Sequence, residues 1–512
     1  MMKRALVSVS DKTNLVEFVS ELVRCGYEII STGGTKATLD KANIPTISID
    51  EVTGFPEILD GRVKTLHPKV HGGLLYVRED NQHCKQVETH DIQGIDLVCV
   101  NLYPFKKTID KEGFTHREAI ENIDIGGPSM LRSAAKNYMY VTVVTEVEDY
   151  NKVIEEIKQY GDTLLETREM LACKVYQTTA AYDSMIASYF SNKLNVSYPD
   201  KLTMTFEKKQ ELRYGENPHQ SASFYTNSNN DTYSIATATQ LHGKELSYNN
   251  IQDANATLQI LSEFEGSPCC VAVKHMNPCG VGIASNLYDA WTKAYDADKI
   301  SIFGGIVAFN ESVDESIAKE LSEIFLEIIL APSFTEEAFN LLSKKKNIRL
   351  LTFNTNKGNG MYKTFVSVKG GMLVQDINMA NVSSNDLKYV TNTKPTDSQI
   401  SDMLFGDKVV KHVKSNAIVI VKNGQTIGIG AGQMNRVGAA KIALEQAGEK
   451  AKGAILASDA FFPMNDTVEL ASQYGISAII QPGGSIKDQD SIDMCNDKGM
   501  SMVFTTTRHF KH

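Results

Sequence analysis

The sequence lacks the features of a membrane or secreted protein. No apolar run approaches the length that crosses a bilayer, and the stretch MMKRALVSVSDKTNL has neither a long apolar core nor a small-residue cleavage site. An excess of positive charge is also missing: the net charge of -10 argues against a nucleic-acid coat and against a polybasic membrane patch. We therefore expect neither a nucleic acid nor a membrane as partner, and any anionic substrate must be held by local donors.

A disulfide pattern is absent too. The 8 cysteines are scattered among strand or helix residues, as in LVCV and LACKV. In a cytosolic chain such cysteines are mostly small hydrophobic residues with free thiols. The sequence thus predicts a cytoplasmic protein.

The chain is long enough for at least two domains with large cores. Of its 512 residues, 42% are hydrophobic and 22% are charged, which is ordinary for a globular protein. Helical patterns end near residue 192 and the linker-like stretch NKLNVSYPDKL follows, so we predict two domains, 1–199 and 200–512. A second polar stretch, NVSSNDLKYVTNTKPTDSQ, divides the second domain into halves of about 200–385 and 386–512.

The first domain alternates strands and helices. ALVSVS, YEIISTGG, PTISI, IDLVCVNLYPF and MYVTVVT predict strands that are apolar at nearly every position. The helix after the first strand is expected to have Ser10 or Asp11 as its N-cap and to end at Gly26. This pattern predicts an α/β fold with a parallel sheet covered on both faces, which binds ligands beyond the carboxyl ends of its strands.

The second domain contains a faint internal duplication. The segments CCVAVKHMNPCGVGIASNLYDAWTKAYDAD and NAIVIVKNGQTIGIGAGQMNRVGAAKIALEQAG share an apolar strand, a lysine, a turn, a Gly-rich strand and a helix. After each copy come a strand into phenylalanine, a polar turn, a helix and an apolar strand that ends in proline. The order favours two similar subdomains over a chance likeness of strand and helix units. A site shared between two such halves is expected, because pockets favour domain interfaces.

The stretch KHMNPCG permits three chemical interpretations. A zinc deaminase needs an acidic residue and a second cysteine where this chain has Asn277 and Gly282. A nucleophilic Cys279 needs a nearby base, and its Pro-Cys-Gly context favours a tight turn instead. Lys274 beside His275 suits proton transfer near neutral pH. A surface lysine next to a hydrogen-bonded histidine explains the same residues, so this stretch alone does not decide.

Several loops carry groups that bind phosphate or carboxylate. ELRYGENPHQ offers the guanidinium of Arg213 and the ring and hydroxyl of Tyr214. STGGT exposes the N–H groups of two glycines at a helix that is expected to start near Thr35. GIGAGQMNR lacks the third glycine of a dinucleotide loop, although Arg436 after it is a candidate phosphate donor. GRVKTLHPKVHGG is strongly basic, which fits an anion-binding loop and an ordinary solvated loop equally well.

Two further stretches place polar residues at element ends. KSNAIVIVKNG puts Asn416 at the start of a buried strand, where an amide is costly unless it is hydrogen-bonded. DIGGPSMLRSAAKN puts Asp124 just before a helix and Lys136 about three turns along that helix. Both positions are candidates for a functional site.

Ten motifs together resemble one family. SVSDKT, STGGT, GRVKTLHPKVHGG, NLYPF, DIGGPSMLRSAAKN, RYGENPHQ, VKHMNPCG, GIGAGQMNR, SDAFFP and RHF look like the bifunctional purine-biosynthesis proteins. These proteins combine phosphoribosylaminoimidazolecarboxamide (AICAR) formyltransferase with inosine monophosphate (IMP) cyclohydrolase. The resemblance implies a methylglyoxal-synthase-like first domain for ring closure and a second domain of two cytidine-deaminase-like halves for formyl transfer.

For formyl transfer, the resemblance implies that His275 is the base, that Lys274 stabilises charge or protonates the leaving nitrogen, and that Asn416 orients His275. Glu327 stands where relatives usually have aspartate, so its substrate contact is expected to be longer. Ribonucleotide contacts are implied for Arg213, Tyr214, Gly304, Glu327, Arg436, Asp466 and Arg508, and folate contacts for Val437, Phe461, Ser485 and Ile486.

For ring closure, the resemblance implies that Lys136 is the proton donor and acceptor. Lys64, Tyr103 and Asp124 are implied to assist it, although the assignment of single proton transfers stays open. Substrate contacts are implied for Ser10, Asp11, Lys12, Thr32, Gly33, Gly34, Thr35, Arg62, Thr65, Asn101 and Ile125.

The resemblance also implies partners. The small-molecule partners are AICAR, its formylated product (FAICAR) and reduced folate, with 10-formyltetrahydrofolate as co-substrate. No catalytic metal is implied, and a structural monovalent cation is a candidate. A homodimer with formyltransferase sites at the subunit interface is implied as well. A zinc deaminase and a non-catalytic nucleotide sensor remain the rival interpretations.

Overall fold

A computed structural model describes residues 2–227, 232–357 and 363–512. The chain folds as two compact units, Met1–Thr205 and Phe206–His512. Within the described ranges, no helix combines the length and the apolar character that would let it span a membrane.

The first unit is built on a single parallel sheet. Its strands are β1 (Lys3–Ser8), β2 (Tyr27–Ser31), β3 (Ile47–Ser48), β4 (Leu97–Val100) and β5 (Thr142–Val144). They form a five-stranded sheet with the order β3-β2-β1-β4-β5. The helices are α1 (Leu15–Arg24), α2 (Gly33–Lys41), α3 (Ile49–Thr53), α4 (Pro68–Leu75), α5 (Asn81–Thr89), α6 (Phe105–Ile109), α7 (His116–Glu121), α8 (Gly126–Lys136), α9 (Tyr150–Tyr160) and α10 (Leu165–Lys193).

The parallel sheet confirms the predicted fold class for this unit. β4 and β5 are buried at every position, as expected for strands covered by helices on both faces. α1 turns Leu15, Phe18 and Leu22 into the core, and Gly26 follows the helix with a φ of 86° that favours glycine. Hydrophobic periodicity therefore predicts the central elements correctly.

The predicted N-cap of α1 is wrong. The helix begins at Leu15 behind Asn14, which is left-handed and makes no side-chain cap. The backbone N–H groups of Ser10 and Asp11 instead donate to the side chain of Asn101, which follows β4. A long-range contact across the sheet edge thus takes these residues out of the helix.

In its described ranges, the second unit contains two two-stranded sheets and two six-stranded sheets. The elements of its first part are β6 (Phe206–Leu212), β7 (Ala222–Asn227), β8 (Thr239–His242), α11 (Tyr248–Leu261), β9 (Cys269–Lys274), β10 (Asn277–Ile283), α12 (Leu287–Ala297), β11 (Ile306–Phe309), α13 (Glu315–Ser322), β12 (Ile328–Ala331), α14 (Glu336–Leu342) and β13 (Arg349–Thr352). Those of its second part are β14 (Lys363–Val368), β15 (Gly371–Asp376), β16 (Lys388–Tyr389), α15 (Asp397–Val410), β17 (Ile418–Val421), β18 (Thr426–Gly430), α16 (Arg436–Ala447), β19 (Ile455–Ser458), α17 (Asp466–Gln473), β20 (Ala478–Gln481), α18 (Asp488–Asp497) and β21 (Ser501–Phe504).

The two larger sheets have the same topology. One six-stranded sheet has the order β10-β9-β11-β12-β13-β8, and the other has the order β18-β17-β19-β20-β21-β16. Corresponding pairs run in the same sense: β9 is antiparallel to β10 and β11, and β17 is antiparallel to β18 and β19. The later pairs β11–β12, β12–β13, β19–β20 and β20–β21 are all parallel. The predicted duplication is therefore confirmed.

Matched glycines explain why the two copies share their Gly-rich strand. A Cβ atom on either glycine of β10 would lie within 2.5 Å of a carbonyl oxygen of α12, and the same holds for β18 and α16. Only glycine lets a helix backbone lie this close to a strand. The residues are Gly280 and Gly282 against Ala294 and Ala290, and Gly428 and Gly430 against Ala443 and Ala439.

The edge strands β10 and β18 bring the halves together. The backbone N–H of Val281 donates to the hydroxyl of Thr426 at 2.9 Å, and that of Ile283 donates to the carbonyl of Gly424 at 2.9 Å. The turn after β9 consequently lies close to the residues that lead into β17.

Candidate active sites

In the first unit, most of the predicted substrate-binding residues follow the carboxyl ends of β1, β2 and β4. Asn101 Oδ1 accepts the N–H of Ser10 at 2.5 Å and that of Asp11 at 3.0 Å, which ties the β1 loop to the β4 loop. A cleft of about 480 Å³ opens there, lined by Ser10, Asp11, Lys12, Asn101, Leu102, Pro104, Lys107, Thr145, Glu146, Val147 and Glu148. The edge of the sheet is thus where the topology predicts a ligand.

Lys12 and Thr35 bond to each other and to the β1 loop. The Lys12 ammonium donates to Thr35 Oγ1 at 2.9 Å and also to the carbonyl of Val9. The Thr35 hydroxyl bonds the backbone of Val9 as well, so it has a structural use. Burial lowers the pKa of Lys12, and the nearby Asp11 carboxylate opposes this effect. The cleft therefore holds a partly desolvated cation.

The STGGT segment forms an uncapped helix N-terminus. α2 begins at Gly33, two residues before the expected start at Thr35, and no side chain among the described residues caps it at Thr32. A Cβ on Gly33 would lie 3.4 Å from Lys64 Nζ, so the ammonium sits over this glycine. Lys64 also forms an ion pair of 2.8 Å with Glu57. A helix N-terminus beside a lysine is suited to a phosphate.

Asp124 lies at the N-terminus of α8. Its Oδ1 accepts the N–H of Gly127 at 2.8 Å, and its Oδ2 accepts the N–H of Tyr103 at 3.4 Å. Burial raises the pKa of Asp124, while those two backbone donors act against burial. The side chain of Thr65 lies against Gly126, where a Cβ would be 2.6 Å from Thr65 Oγ1. These contacts join the loop before α4 to the start of α8.

Two predicted residues lie apart from this group. Lys136 is the last residue of α8 and is exposed, so it stands about 15 Å along the helix axis from Gly126. Arg62 pairs with Glu121 at 2.5 Å in an exposed ion pair. Ile125 precedes α8 and, like the Tyr103 side chain, is more than half exposed.

In the second unit, Lys274 is the last residue of β9 and His275 follows it in the turn. The Lys274 ammonium donates to the carbonyl of Phe303 at 2.7 Å, next to Gly304. The His275 side chain is exposed and has no hydrogen-bond partner among the described residues. Lys422 makes the matching bond in the other half, to the carbonyl of Lys452 at 2.6 Å. The lysine contact therefore belongs to both copies, whereas the histidine belongs to one.

Asn416 anchors a buried polar network at the start of β17. Its Oδ1 accepts from Arg436 at 2.7 Å, and its amide nitrogen donates to the carbonyl of Gln433 at 2.8 Å. The predicted need for a partner is thus met. Arg436 also contacts Ser458 and forms a buried ion pair with Asp459.

One contact joins this network to the β9 turn. The backbone N–H of Lys414 donates to Asn277 Oδ1 at 3.1 Å. Lys414 is two residues before Asn416, and Asn277 is two residues after His275. The C-terminal segment approaches the same place, because the N–H of His509 donates to the carbonyl of Asp459 at 2.8 Å. Arg508 precedes His509 and lies 4.5 Å from the ring centroid of Phe510.

The remaining predicted contacts lie on several elements of the second unit, and within the described residues no hydrogen bond or ion pair joins them to the His275 side chain. Glu327 precedes β12 and pairs with Arg349 at 2.8 Å. Asp466 starts α17, and Arg213 lies 5.6 Å from the ring centroid of Tyr214. Val437 is half-buried, and three folate candidates follow β19 and β20: Phe461, Ser485 and the fully exposed Ile486.

Cys279 is not an activated nucleophile. Burial raises the pKa of its thiol to about 12, so the reactive thiolate is scarce at neutral pH. Among the described residues, no three His, Cys, Asp or Glu side chains converge as a metal site would require. KHMNPCG therefore offers a lysine and a histidine.

Sequence reasoning missed three acidic side chains. Asp459 is fully buried in the ion pair with Arg436 and accepts from Ser415. Glu57 balances Lys64, and Asp253 accepts the N–H of Met276 at 2.7 Å. Asp459 was signalled by an acid directly after the apolar strand in AILASD. Glu57 had no signal, because its partner depends on loop geometry.

Comparisons with known proteins identify the family of the chain. Residues 14–129 match the MGS-like domain, and residues 134–446 match the AICARFT/IMPCHase bienzyme. Relatives named "Bifunctional purine biosynthesis protein PurH" from Anoxybacillus flavithermus, Listeria monocytogenes and Oceanobacillus iheyensis are 61%, 60% and 58% identical, each over 100% of both chains. A solved chain described as the crystal structure of ForH is 35% identical, and the match covers 37% of this chain and 100% of the other, with a TM-score of 0.33.

These matches confirm the family that the ten motifs suggested. The bienzyme match spans more than half of the chain, and the relatives align along its full length. The chain belongs to the AICARFT/IMPCHase bienzyme family, and it catalyses the last two steps of IMP biosynthesis, in which AICAR receives a formyl group from 10-formyltetrahydrofolate and the product is closed to IMP.

Proposed function

We propose that the two reactions are divided between the two units, with ring closure in Met1–Thr205 and formyl transfer in Phe206–His512. The observation that carries this proposal is the difference between the duplicated turns. His275 follows Lys274 in one half, where Asn423 follows Lys422 in the other. Because the neighbouring lysine contact is the same in both, the histidine is what adds chemistry to one copy.

The formyl-transfer site needs to activate a poor nucleophile. The amine of AICAR shares its lone pair with the ring and the carboxamide, so attack requires a base, stabilisation of an oxyanion and an acid for the leaving folate nitrogen. We assign the base to His275 and the cationic role to Lys274. Asn416 orients the histidine region through the segment that Lys414 joins to Asn277.

The ribonucleotide and the folate are assigned to the sheet edges around that turn. Phosphate and carboxamide groups are suited to guanidinium forks and a carboxylate, and the folate ring to partly exposed apolar side chains. The proposed ribonucleotide contacts are Arg213, Tyr214, Gly304, Glu327, Arg436, Asp466 and Arg508, and the proposed folate contacts are Val437, Phe461, Ser485 and Ile486. Arg436 has to share its guanidinium with Asp459, so it acts as an oriented donor.

Ring closure is intramolecular, since an amide nitrogen attacks a formyl carbon of the same molecule. Preorganisation can therefore supply much of the rate. The N-terminus of α2 and Lys64 support the binding of the phosphate, and the elevated pKa of Asp124 supports a part in proton transfer. Lys136 remains the proposed proton carrier, and Tyr103 assists.

Both activities should survive removal of metal ions. We expect turnover to stay within about twofold after dialysis against a chelator, because the proposed proton transfers use only side-chain nitrogen and oxygen atoms. The assay follows folate release and IMP absorbance in separate channels, with AICAR or FAICAR as the starting substrate. A zinc deaminase would lose turnover and regain it with zinc, and a nucleotide sensor would give no product in either channel.

A homodimer is proposed from the hairpin of β14 and β15. A two-stranded hairpin is at best marginally stable alone. This one exposes Phe365, Val366, Val368, Met372 and Leu373, and neighbouring residues of a strand point to opposite faces. Apolar side chains exposed together in this way are typical of a protein interface. A second copy of the chain is the proposed partner.

The double variant Val366→Lys/Leu373→Lys should dissociate this dimer, because it puts charges into the proposed interface. Light scattering after size-exclusion chromatography should give twice the chain mass of 56.5 kDa for the wild type and the single mass for the variant. Lys369→Ser, between the strands, is the matched control and should remain dimeric. A wild-type chain that elutes as a monomer would contradict the proposal.

Two finer properties complete the proposal. The cytoplasm is supported by the state of all eight cysteines, which are unpaired as expected in a reducing compartment. We also propose a structural monovalent cation, without assigning its ligands. A change in the melting temperature of the protein when potassium replaces tetramethylammonium would reveal it.

A further inference from the structure

The turn that carries His275 has a conformation that its residues do not favour. Lys274 pairs with Asn277 across the hairpin, which leaves a two-residue turn between β9 and β10. Both turn residues are left-handed, with φ of 54° at His275 and 60° at Met276. Such turns normally use asparagine and glycine, because larger side chains strain this conformation. The turn therefore needs support from outside.

Asp253, on α11, provides that support. Its half-buried carboxylate accepts the N–H of Met276 at 2.7 Å. Burial raises the pKa of Asp253, while the N–H of Met276, the charge of His275 and the N–H of His275 lower it. No hydrogen bond joins the carboxylate to the His275 imidazole in the described part of the chain. The carboxylate thus acts on the backbone of the turn.

The second half repeats this arrangement without a histidine. Asp402 on α15 accepts the N–H of Asn423 at 2.8 Å and the N–H of Gly424 at 2.7 Å. These turn residues have φ of 54° and 66°. Asp253 and Asp402 each lie six residues after the N-cap of their helix, Ser247 and Thr396. The aspartate and the turn were therefore duplicated together.

The two turns differ in how readily their residues adopt the left-handed conformation that the aspartate stabilises. Asn423 and Gly424 adopt the left-handed turn readily, so Asp402 adds to a conformation that is already favoured. His275 and Met276 do not, so their turn depends more on the carboxylate. A strained conformation that neighbouring groups maintain is typical of functional sites. Because His275 is one of the two turn residues, the backbone conformation of the turn sets the direction in which its side chain leaves the main chain.

We propose that Asp253 is a positioning residue for formyl transfer, whose carboxylate holds the β9–β10 turn so that His275 faces the reacting amine. This inference rests on the proposed role of His275 as the base. It predicts that Asp253 affects the chemical step and not substrate binding, because the carboxylate acts through the backbone of the turn.

The test measures kcat and KM for both reactions in Asp253→Asn and Asp253→Ala. We expect kcat of formyl transfer to fall by about 10-fold in Asn and up to about 100-fold in Ala, since small misplacements of a catalytic group have effects of this size. KM for AICAR and the rate of ring closure should stay within about twofold. Asp402→Asn is the matched control and should leave kcat of formyl transfer unchanged.

A rescue separates positioning from a general loss of structure. Met276→Gly introduces the residue that the other half has at this place and should restore part of kcat in the Asp253→Asn background. A variant of Asp253 that keeps wild-type kcat overturns the inference, and so does a loss of kcat that Met276→Gly leaves unchanged. If Asp253→Ala fails to fold, Asp253→Asn with and without Met276→Gly still decides. A wild-type rate in a variant of His275 would instead refute the proposed function.

Discussion

Replacing His275 by asparagine should lower the rate of formyl transfer by about 10²–10⁴-fold, the usual contribution of a general base, and leave ring closure unchanged. Asparagine is the residue at the matching turn position in the other half, where Asn423 has the same φ of 54°. It tolerates the left-handed conformation well, so the turn should keep its shape. The loss can then be attributed to the missing imidazole.

The exposure of His275 strengthens this interpretation. Its side chain makes no hydrogen bond within the described residues, so the substitution removes no side-chain hydrogen bond that stabilises the fold. The melting temperature should therefore remain close to that of the wild type. Asn423→Asp is the control substitution at the equivalent turn, and this variant should carry out formyl transfer and ring closure at the wild-type rates. If His275→Asn transfers formyl at the wild-type rate, His275 is not the base.

The same comparison indicates that Lys274 has a structural use beside its proposed cationic role. Its ammonium donates to the Phe303 carbonyl, as Lys422 does to the Lys452 carbonyl in the half without a histidine. The bond is thus part of the duplicated fold. The copies diverge at both turn residues, His275 and Met276 against Asn423 and Gly424, and of these four only His275 has a side chain suited to proton transfer near neutral pH.

Much of the fold follows from the sequence because it depends on local patterns. Apolar strands such as LVCV predict buried parallel strands, and the shared order of parts predicts two matched sheets. The paired glycines of β10 and β18 give the physical reason for that likeness. These features are encoded within a few neighbouring residues.

Other features depend on contacts between distant segments. Ser10 and Asp11 do not cap α1, because Asn101 binds their N–H groups from another strand. Asp459 and Asp253 have partners that lie 23 residues away from them in the chain, at Arg436 and Met276. Alignment of the two halves would have marked Asp253, since Asp402 occupies the same helical position. No such internal reference exists for the first unit.

Lys136 is the residue whose implied role agrees least with its position in the structure. The resemblance assigns it the proton transfer of ring closure, yet it ends α8, about 15 Å along the axis from Gly126. Side chains of a helix lean toward its N-terminus, which shortens this distance in part. A decisive substitution is therefore needed.

Replacing Lys136 by alanine should abolish ring closure, with a loss of about 10²–10⁴-fold, and leave formyl transfer within about twofold of the wild type. The side chain is exposed and unpartnered within the described residues, so the cost in stability should be at most about 1 kcal/mol from the helix dipole. IMP absorbance with FAICAR as substrate measures the loss directly. Lys193→Ala, at the last position of α10, is the matched control.

A second substitution at the same position separates charge from proton transfer. Lys136→Arg keeps the positive charge, but a guanidinium does not give up its proton at neutral pH. Ring closure should stay abolished in Lys136→Arg if the lysine carries the proton, and it should recover if the residue only supplies charge. If Lys136→Ala closes the ring normally while Asp124→Asn does not, proton transfer lies at the N-terminus of α8, where burial already raises the pKa of Asp124.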